Sequence, residues 1–264
     1  MTYTKKIYMV MKNCTVIIPH RSKDKDRNDN LFTILEWIDE LDFVDRVLII
    51  ESDTQKRIES DINSLKDEYT NYKLEYHFLF TKKPFNRSWI CNYGATLSKS
   101  QNYFFLDNDI FVDSKKLNEI YKRKDYKKII KPYNLYKALS QEKSKEIRET
   151  LNFSENNISD NETTLTISRI TAGGMLIINS EFFWDIKGWN ESFVGWGYED
   201  NEMKDRIESG TKFEAEEITV YHLYHKQEVL TRENLNPYIY QQCVKDGPYK
   251  YIKNTNINSI GKKI

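Results

Sequence analysis

The feature that most limits how this chain can fold is the alternation of short apolar runs with helical patterns across its first 110 residues. Residues 14–18 (CTVII) are a β-rich run ended by Pro19, the pattern of a buried strand entering a loop. Residues 30–41 (NLFTILEWIDEL) place Leu31, Ile34, Leu35, Ile38 and Leu41 at helical spacing. A second strand over 46–50 (RVLII) ends at Glu51-Ser52-Asp53, the charged stretch 55–70 is expected to be helical, and 74–80 (LEYHFLF) is a third strand. Residues 87–99 (RSWICNYGATLSK) read as a helix, and 103–106 (YFFL) as a fourth strand running into Asp107-Asn108-Asp109. Strands separated by helices imply an α/β domain with a single, mainly parallel central sheet flanked by helices. Such sheets bind ligands at the carboxyl ends of their strands, where Pro19, Asp53 and Asp107 all lie.

Charge and cysteine usage narrow the class. Forty basic and forty acidic residues give a net charge of zero, which excludes a globally basic nucleic-acid binder and a strongly acidic solvating chain. Cys14, Cys91 and Cys243 are too widely spaced for a disulfide framework or a metal knuckle, which favours a reducing compartment. No run approaches the roughly 18 apolar residues of a membrane span. Lys5 and Lys6 precede IYMVM, but Lys12 and Asn13 cut that run short of a signal-peptide core. The expectation is a soluble cytoplasmic chain with one main domain over 1–226 and a C-terminal extension over 227–264. The extension ends with Lys245, Lys250, Lys253, Lys262 and Lys263 against one acid, Asp246. Residues 137–163 are polar and read as a solvated helix and loop, an insertion or a lid; strand character resumes at 165–170 and 175–178.

Three constellations carry chemistry. Asp107 and Asp109 directly follow an apolar strand and can converge on one hard cation, although acidic turns are common without one. His222 and His225 form H-x-x-H beside the apolar run ITV, and a neutral imidazole can complete a site that carboxylates begin; packed or surface histidines are the alternative. Five of the nine glycines fall between Gly173 and Gly197, in AGGMLIINSEFFWDIKGWNESFVGWG. Gly173-Gly174 lets a backbone approach a ligand closely, and Gly195-Trp196-Gly197 presents a large aromatic just before Glu199-Asp200. Those acids could be there for the helix dipole alone, but a Trp beside carboxylates is also what a sugar site uses, stacking on C–H faces and accepting from hydroxyls.

Taken in order, four segments resemble the β-1,4-galactosyltransferase family and related bacterial glycosyltransferases of the GT-A (nucleotide-diphospho-sugar transferase) fold. VIIPHR (16–21) is similar to that family's I-I-P-F-R, and PFNRSWICNYGATLS (84–98) to its F-N-R-A-x-x-x-N-x-G. FFLDNDIF (104–111) is similar to its D-x-D strand, and residues 172–207 to its G-G-V-S…W-G-W-G-x-E-D-D-D segment. The resemblance spans roughly residues 14–225.

It implies an inverting hexosyltransferase using a UDP-sugar and Mn²⁺ (or Mg²⁺), acting on a hydroxyl of a glycan, as in polysaccharide biosynthesis. By resemblance, Pro19, His20, Arg21, Phe85, Asn86 and Arg87 would face the donor, with Asp53 at the nucleobase. Asp109 would ligate the metal with His222 or His225, and Asp107 would help the metal or ribose. Gly174, Gly195, Trp196 and Gly197 would shape the junction of donor and acceptor, Asp200 would be the general base and Glu199 would bind the acceptor. Three departures stand out: His20 replaces a Phe, Tyr198 replaces a Gly and would narrow the sugar pocket, and Asn201 replaces an acid. The alternatives are a non-catalytic nucleotide- or sugar-binding module on the same fold, and a viral glycosyltransferase acting on nucleic acid. A dehydrogenase is disfavoured, because no G-x-G-x-x-G follows a strand.

Overall fold

A computed structural model describes residues 13–123, 128–168, 170–226, 235–247, 249 and 252. In chain order the elements are β1 (Cys14–His20), α1 (Lys25–Asp39), β2 (Val44–Asp53), α2 (Glu59–Leu65), β3 (Lys73–Phe80), α3 (Arg87–Leu97), β4 (Asn102–Leu106), β5 (Ile110–Phe111) and α4 (Ser114–Lys122). There follow β6 (Ile129–Ile130), β7 (Leu135–Leu139), α5 (Gln141–Thr150), β8 (Thr163–Ile167), β9 (Met175–Asn179), α6 (Ser180–Asp185), α7 (Glu199–Glu208), β10 (Thr219–His222) and α8 (Asn236–Asp246). The central sheet has the order β3-β2-β1-β4-β9-β6. Its first four strands are mutually parallel, and β9 runs against both of its neighbours.

The apolar runs become central strands because both faces of the sheet are covered. Successive side chains of a strand point to opposite faces. Val16 and Ile18 therefore pack with Leu31, Ile34, Leu35 and Ile38 of α1. Ile17, between them, packs with Ile90, Cys91 and Ala95 of α3. Each such burial contributes about 1.5–3 kcal/mol. Helix starts follow side-chain caps: Asp24 accepts from Arg27 N at 2.9 Å and Asn86 from Trp89 N at 2.9 Å.

The structure departs from the sequence expectations in four places. β1 continues through Pro19 to His20, because Pro19 lies beyond the last β1–β4 pairing, Ile17 with Phe105, where a missing N–H is tolerated as at an edge. The helix expected over 55–70 is only the short α2. A second sheet, β5-β10-β7-β8, stands beside the central one. The polar stretch 137–163 accordingly begins in β7 and ends at the start of β8, and only α5 is the solvated helix. Even α5 is anchored, since Arg148 donates to Asn30 Oδ1 at 2.8 Å and Ser144 Oγ accepts from Tyr224 N at 2.8 Å.

The chain end is also tied in. Tyr240 of α8 donates to Asp205 Oδ2 of α7 at 2.9 Å. Lys245 lies on α8, whereas Lys250, Lys253, Lys262 and Lys263, like Lys5 and Lys6, are outside the described residues. Cys14, Cys91 and Cys243 are buried and free. Among the described residues no helix is long and apolar enough to cross a membrane.

Candidate active site

The second sheet brings the acids and histidines together. β10 pairs with β5 so that His222 lies opposite Ile110, one residue past Asp109, and Leu223 N donates to Asp109 O at 2.8 Å. The nearly buried Asp109 then has Oδ2 at 3.6 Å from His222 Nε2 and 3.3 Å from His225 Nε2. One ligand atom from each of these three residues lies within 4.8 Å of the other two. Burial disfavours the Asp109 carboxylate, but the two histidines outweigh it and hold the group far below the usual carboxylate range. His225 titrates above its usual value; burial opposes this and the Asp109 carboxylate overrides it. His225 Nδ1 meets the Lys226 carbonyl at 3.0 Å. A carbonyl only accepts, so Nδ1 donates to it; Nε2 donates to Asp109 when the ring is protonated and has a lone pair free for a cation when it is neutral. The structure thus groups both histidines with Asp109, where H-x-x-H alone offered a choice.

Asp107 faces the other way. Its Oδ1 accepts from Arg87 Nε at 2.8 Å, and the guanidinium lies 4.7 Å over the Trp189 ring. Arg87 Nη1 and Nη2 are buried with no hydrogen-bond partner among the described residues. The side chains expected at the donor divide into two groups. Arg21 donates to Ser52 O at 2.5 Å and to Lys83 O at 3.2 Å, its guanidinium 5.5 Å from the Phe85 ring, while Asp53 accepts from Arg57 Nε at 3.1 Å. His20, by contrast, is fully buried, and its neighbour Pro19 is buried. Asn86 caps α3 and donates to Glu191 O at 2.8 Å, so its amide works in the scaffold.

On the far side of β4, the glycine pair meets the acids of α7. Register places Met175 opposite Leu106, so Gly173-Gly174 sits beside Asp107, whose N–H donates to Gly174 O at 2.9 Å. Gly174 has φ +72°, and a side chain there would strike the Tyr133 hydroxyl. Asp200 accepts from Asn201 N at 2.9 Å through Oδ1. Glu199 has a buried Oε2 with no partner among the described residues. Its carboxyl is pushed up to about 7 by burial and by Asp200, against the pull of Arg87.

The backbone around these acids is held by residues that no motif marks. The fully buried Lys131 donates to Gly173 O at 2.6 Å and Met175 O at 3.0 Å, and Tyr133 donates to Gly173 O at 2.9 Å. Burial drives the Lys131 ammonium well below its usual value, against the attraction of Asp200 and Asp107. Arg206 and Glu202, both fully buried on α7, pair at 2.7 Å. Arg206 also donates to Ile186 O at 2.5 Å, fixing the helix against the preceding loop. The second Asn of the F-N-R segment, Asn92, binds Trp189 N and O at 2.9 Å each. A lone Lys in KKIIKPY carries no local signal of these contacts.

Trp196 is 70% exposed, between Gly195 at φ +79° and Gly197 at φ +98°. Asn236 of α8, itself buried, accepts from Val194 N at 3.2 Å and donates to the carbonyls of Val194, Trp196 and Gly197 at 3.1, 3.3 and 2.9 Å. The Tyr198 ring lies 5.5 Å from that of Tyr240, so it also faces α8.

A parallel sheet with acids at a strand end, a second small sheet returning histidines to them and a glycine pair under a helix N-terminus define the GT-A fold. Residues 156–226 match the family model described as the N-terminal domain of galactosyltransferase. Among solved structures, GalNAc-T7 with UDP, GalNAc and Mn²⁺ has a TM-score of 0.51 at 15% identity, over 84% of this chain and 45% of that one. A mutant of the Drosophila β-1,4-galactosyltransferase 7, in complex with manganese, UDP-Gal and xylobiose, has a TM-score of 0.48 at 13% identity, over 93% of this chain and 82% of that one. No curated protein is a significant match.

Proposed function

We propose that this chain is an inverting, metal-dependent glycosyltransferase moving a hexose, such as galactose or N-acetylgalactosamine, from a UDP-sugar to a hydroxyl of a glycan. The observation that carries the reading is that the Asp109–His222–His225 cluster, Arg87 and the Glu199-Asp200 pair gather around the carboxyl end of β4. The galactosyltransferase match and the UDP, GalNAc and Mn²⁺ of GalNAc-T7 support its metal-dependent use of a UDP-sugar.

One buried carboxylate and two imidazoles suit Mn²⁺ better than Mg²⁺, which prefers an all-oxygen shell. Such an ion supplies positive charge against the diphosphate oxygens of the departing nucleotide. Arg87 serves the same anion: its unpartnered Nη1 and Nη2 are two donors in one plane, suited to phosphate oxygens. Asp200 takes the acceptor proton at Oδ2, the oxygen facing Gly173, as the acceptor oxygen bonds to the anomeric carbon and the sugar–phosphate bond breaks on the opposite face. Glu199, titrating near 7, can both donate to and accept from acceptor hydroxyls. Trp196 offers its ring to a sugar C–H face.

The test is UDP release from UDP-hexoses with glycan acceptors in Mn²⁺, with the product's anomeric configuration read by NMR. Inverted configuration and release that needs both acceptor and Mn²⁺ are expected. Retention, or no release across a panel of UDP-hexoses and acceptors, contradicts the reading.

A further inference from the structure

The three side chains of the Asp107-Asn108-Asp109 turn go to three different elements. Asp107 goes to Arg87 of α3 and Asp109 to the histidines at and beyond β10. The middle residue goes to β1: Asn108 Nδ2 lies 2.7 Å from His20 Nδ1, and both residues are buried. An amide nitrogen only donates, so Nδ1 of His20 accepts and its proton sits on Nε2, which faces Asn28 Oδ1 of α1 at 3.2 Å. The chain Asn28–His20–Asn108 has one consistent direction of donation, and its buried ring has a single arrangement that satisfies both nitrogens.

We propose that His20 is a positioning residue, gripping the middle amide of the turn so that the two flanking carboxylates face separate partners. A tight turn with three polar side chains has many ways to place them. Fixing the middle one removes those in which Asp107 and Asp109 swing toward each other or toward solvent. This also accounts for a histidine where the resembled family has Phe: a Phe fills the volume but cannot accept from Asn108. His20 itself touches neither donor nor acceptor; it acts through Asn108.

The proposal rests on the reading of Asp109, His222 and His225 as a metal site, so its test separates the two. Affinity for Mn²⁺ alone is measured by electron paramagnetic resonance for the wild type, His20→Phe, Asn108→Leu and the double variant, with metal-free thermal unfolding in parallel. Partners that orient metal ligands typically change metal affinity about 10–100-fold. Each single variant is expected to weaken Mn²⁺ binding in that range, with the double variant no weaker than the worse single, because both remove one interaction. Asn28→Ala, which removes only the outer partner, is expected to weaken binding less, and it carries the test should His20→Phe fail to fold. Lowered melting temperatures with unchanged Mn²⁺ affinity, or losses that simply add, overturn the positioning role alone. A wild type that binds no Mn²⁺ overturns the metal reading and this one with it.

Discussion

Gly173 lies directly against Asp200: a methyl group at Gly173 would sit 2.8 Å from Asp200 Oδ2 and 3.1 Å from its Cβ. Neither partner can retreat easily. The Gly173 carbonyl is held by Lys131 and Tyr133, and the Asp200 carbonyl accepts from Ala172 N at 3.2 Å. The backbone of residue 173 is thus the surface on which the proposed base rests.

Gly173→Ala therefore tests placement without removing a functional group. The added methyl displaces the Asp200 carboxylate, and a misplacement of about 1 Å can cost on the order of 10²-fold in rate. Turnover should fall by roughly that factor while UDP affinity stays near that of the wild type. Wild-type turnover in the folded variant would show that this contact does not set the base.

Asp200→Asn keeps the shape and removes the proton acceptor. General-base catalysis is worth about 10²–10⁴-fold, so kcat should drop by that order with Mn²⁺-dependent UDP binding intact. Single-turnover kinetics separate the two, and an unimpaired kcat would take Asp200 out of the role.

Glu199 makes a prediction about pH. Its carboxyl titrates at about 7 in the fold, against about 4.3 in an unfolded chain. Between these values the folded state holds the extra proton, so stability falls as pH rises through that window. Glu199→Gln removes the penalty. Without metal, its melting temperature should match the wild type near pH 4.5 and exceed it at pH 8, by about 2–4 °C for each kcal/mol relieved. Calorimetry at the two pH values checks this, and an equal difference at both would contradict it.

Asn236 joins α8 to the Trp196 loop through four hydrogen bonds. Asn236→Ala should speed hydrogen exchange over 194–197 and raise the acceptor KM, leaving the donor KM nearly unchanged. If both KM values moved together, the loop would be serving the donor as well.

Much of this was legible in the sequence, for a physical reason. β1, β2 and β4 are buried on both faces, so they read as continuous apolar runs, and their ends point to Asp53 and Asp107 without any structure. The second sheet was not legible, because β5 has two residues and its pairing with β10 joins positions more than a hundred residues apart. That pairing is what brings the histidines in: β10 ends at His222, and His225, three residues on, lies near the same carboxylate oxygen. Lys131 and Asn236 gain their roles only from backbone carbonyls brought to them by the fold. Tyr198 likewise gains a neighbour only in the fold. Its ring has Tyr240 of α8 as a neighbour, a contact the sequence did not suggest.

In the proposed function one site binds a nucleotide sugar through a metal that Asp109, His222 and His225 would hold. Thermal unfolding with UDP, UDP-galactose and UDP-N-acetylgalactosamine, each with and without Mn²⁺, tests it most directly, since a bound ligand raises stability by mass action. A rise in melting temperature that needs nucleotide and Mn²⁺ together and disappears in Asp109→Ala is expected. Equal melting temperatures with and without Mn²⁺ for every nucleotide, or a full shift in Asp109→Ala, would contradict it.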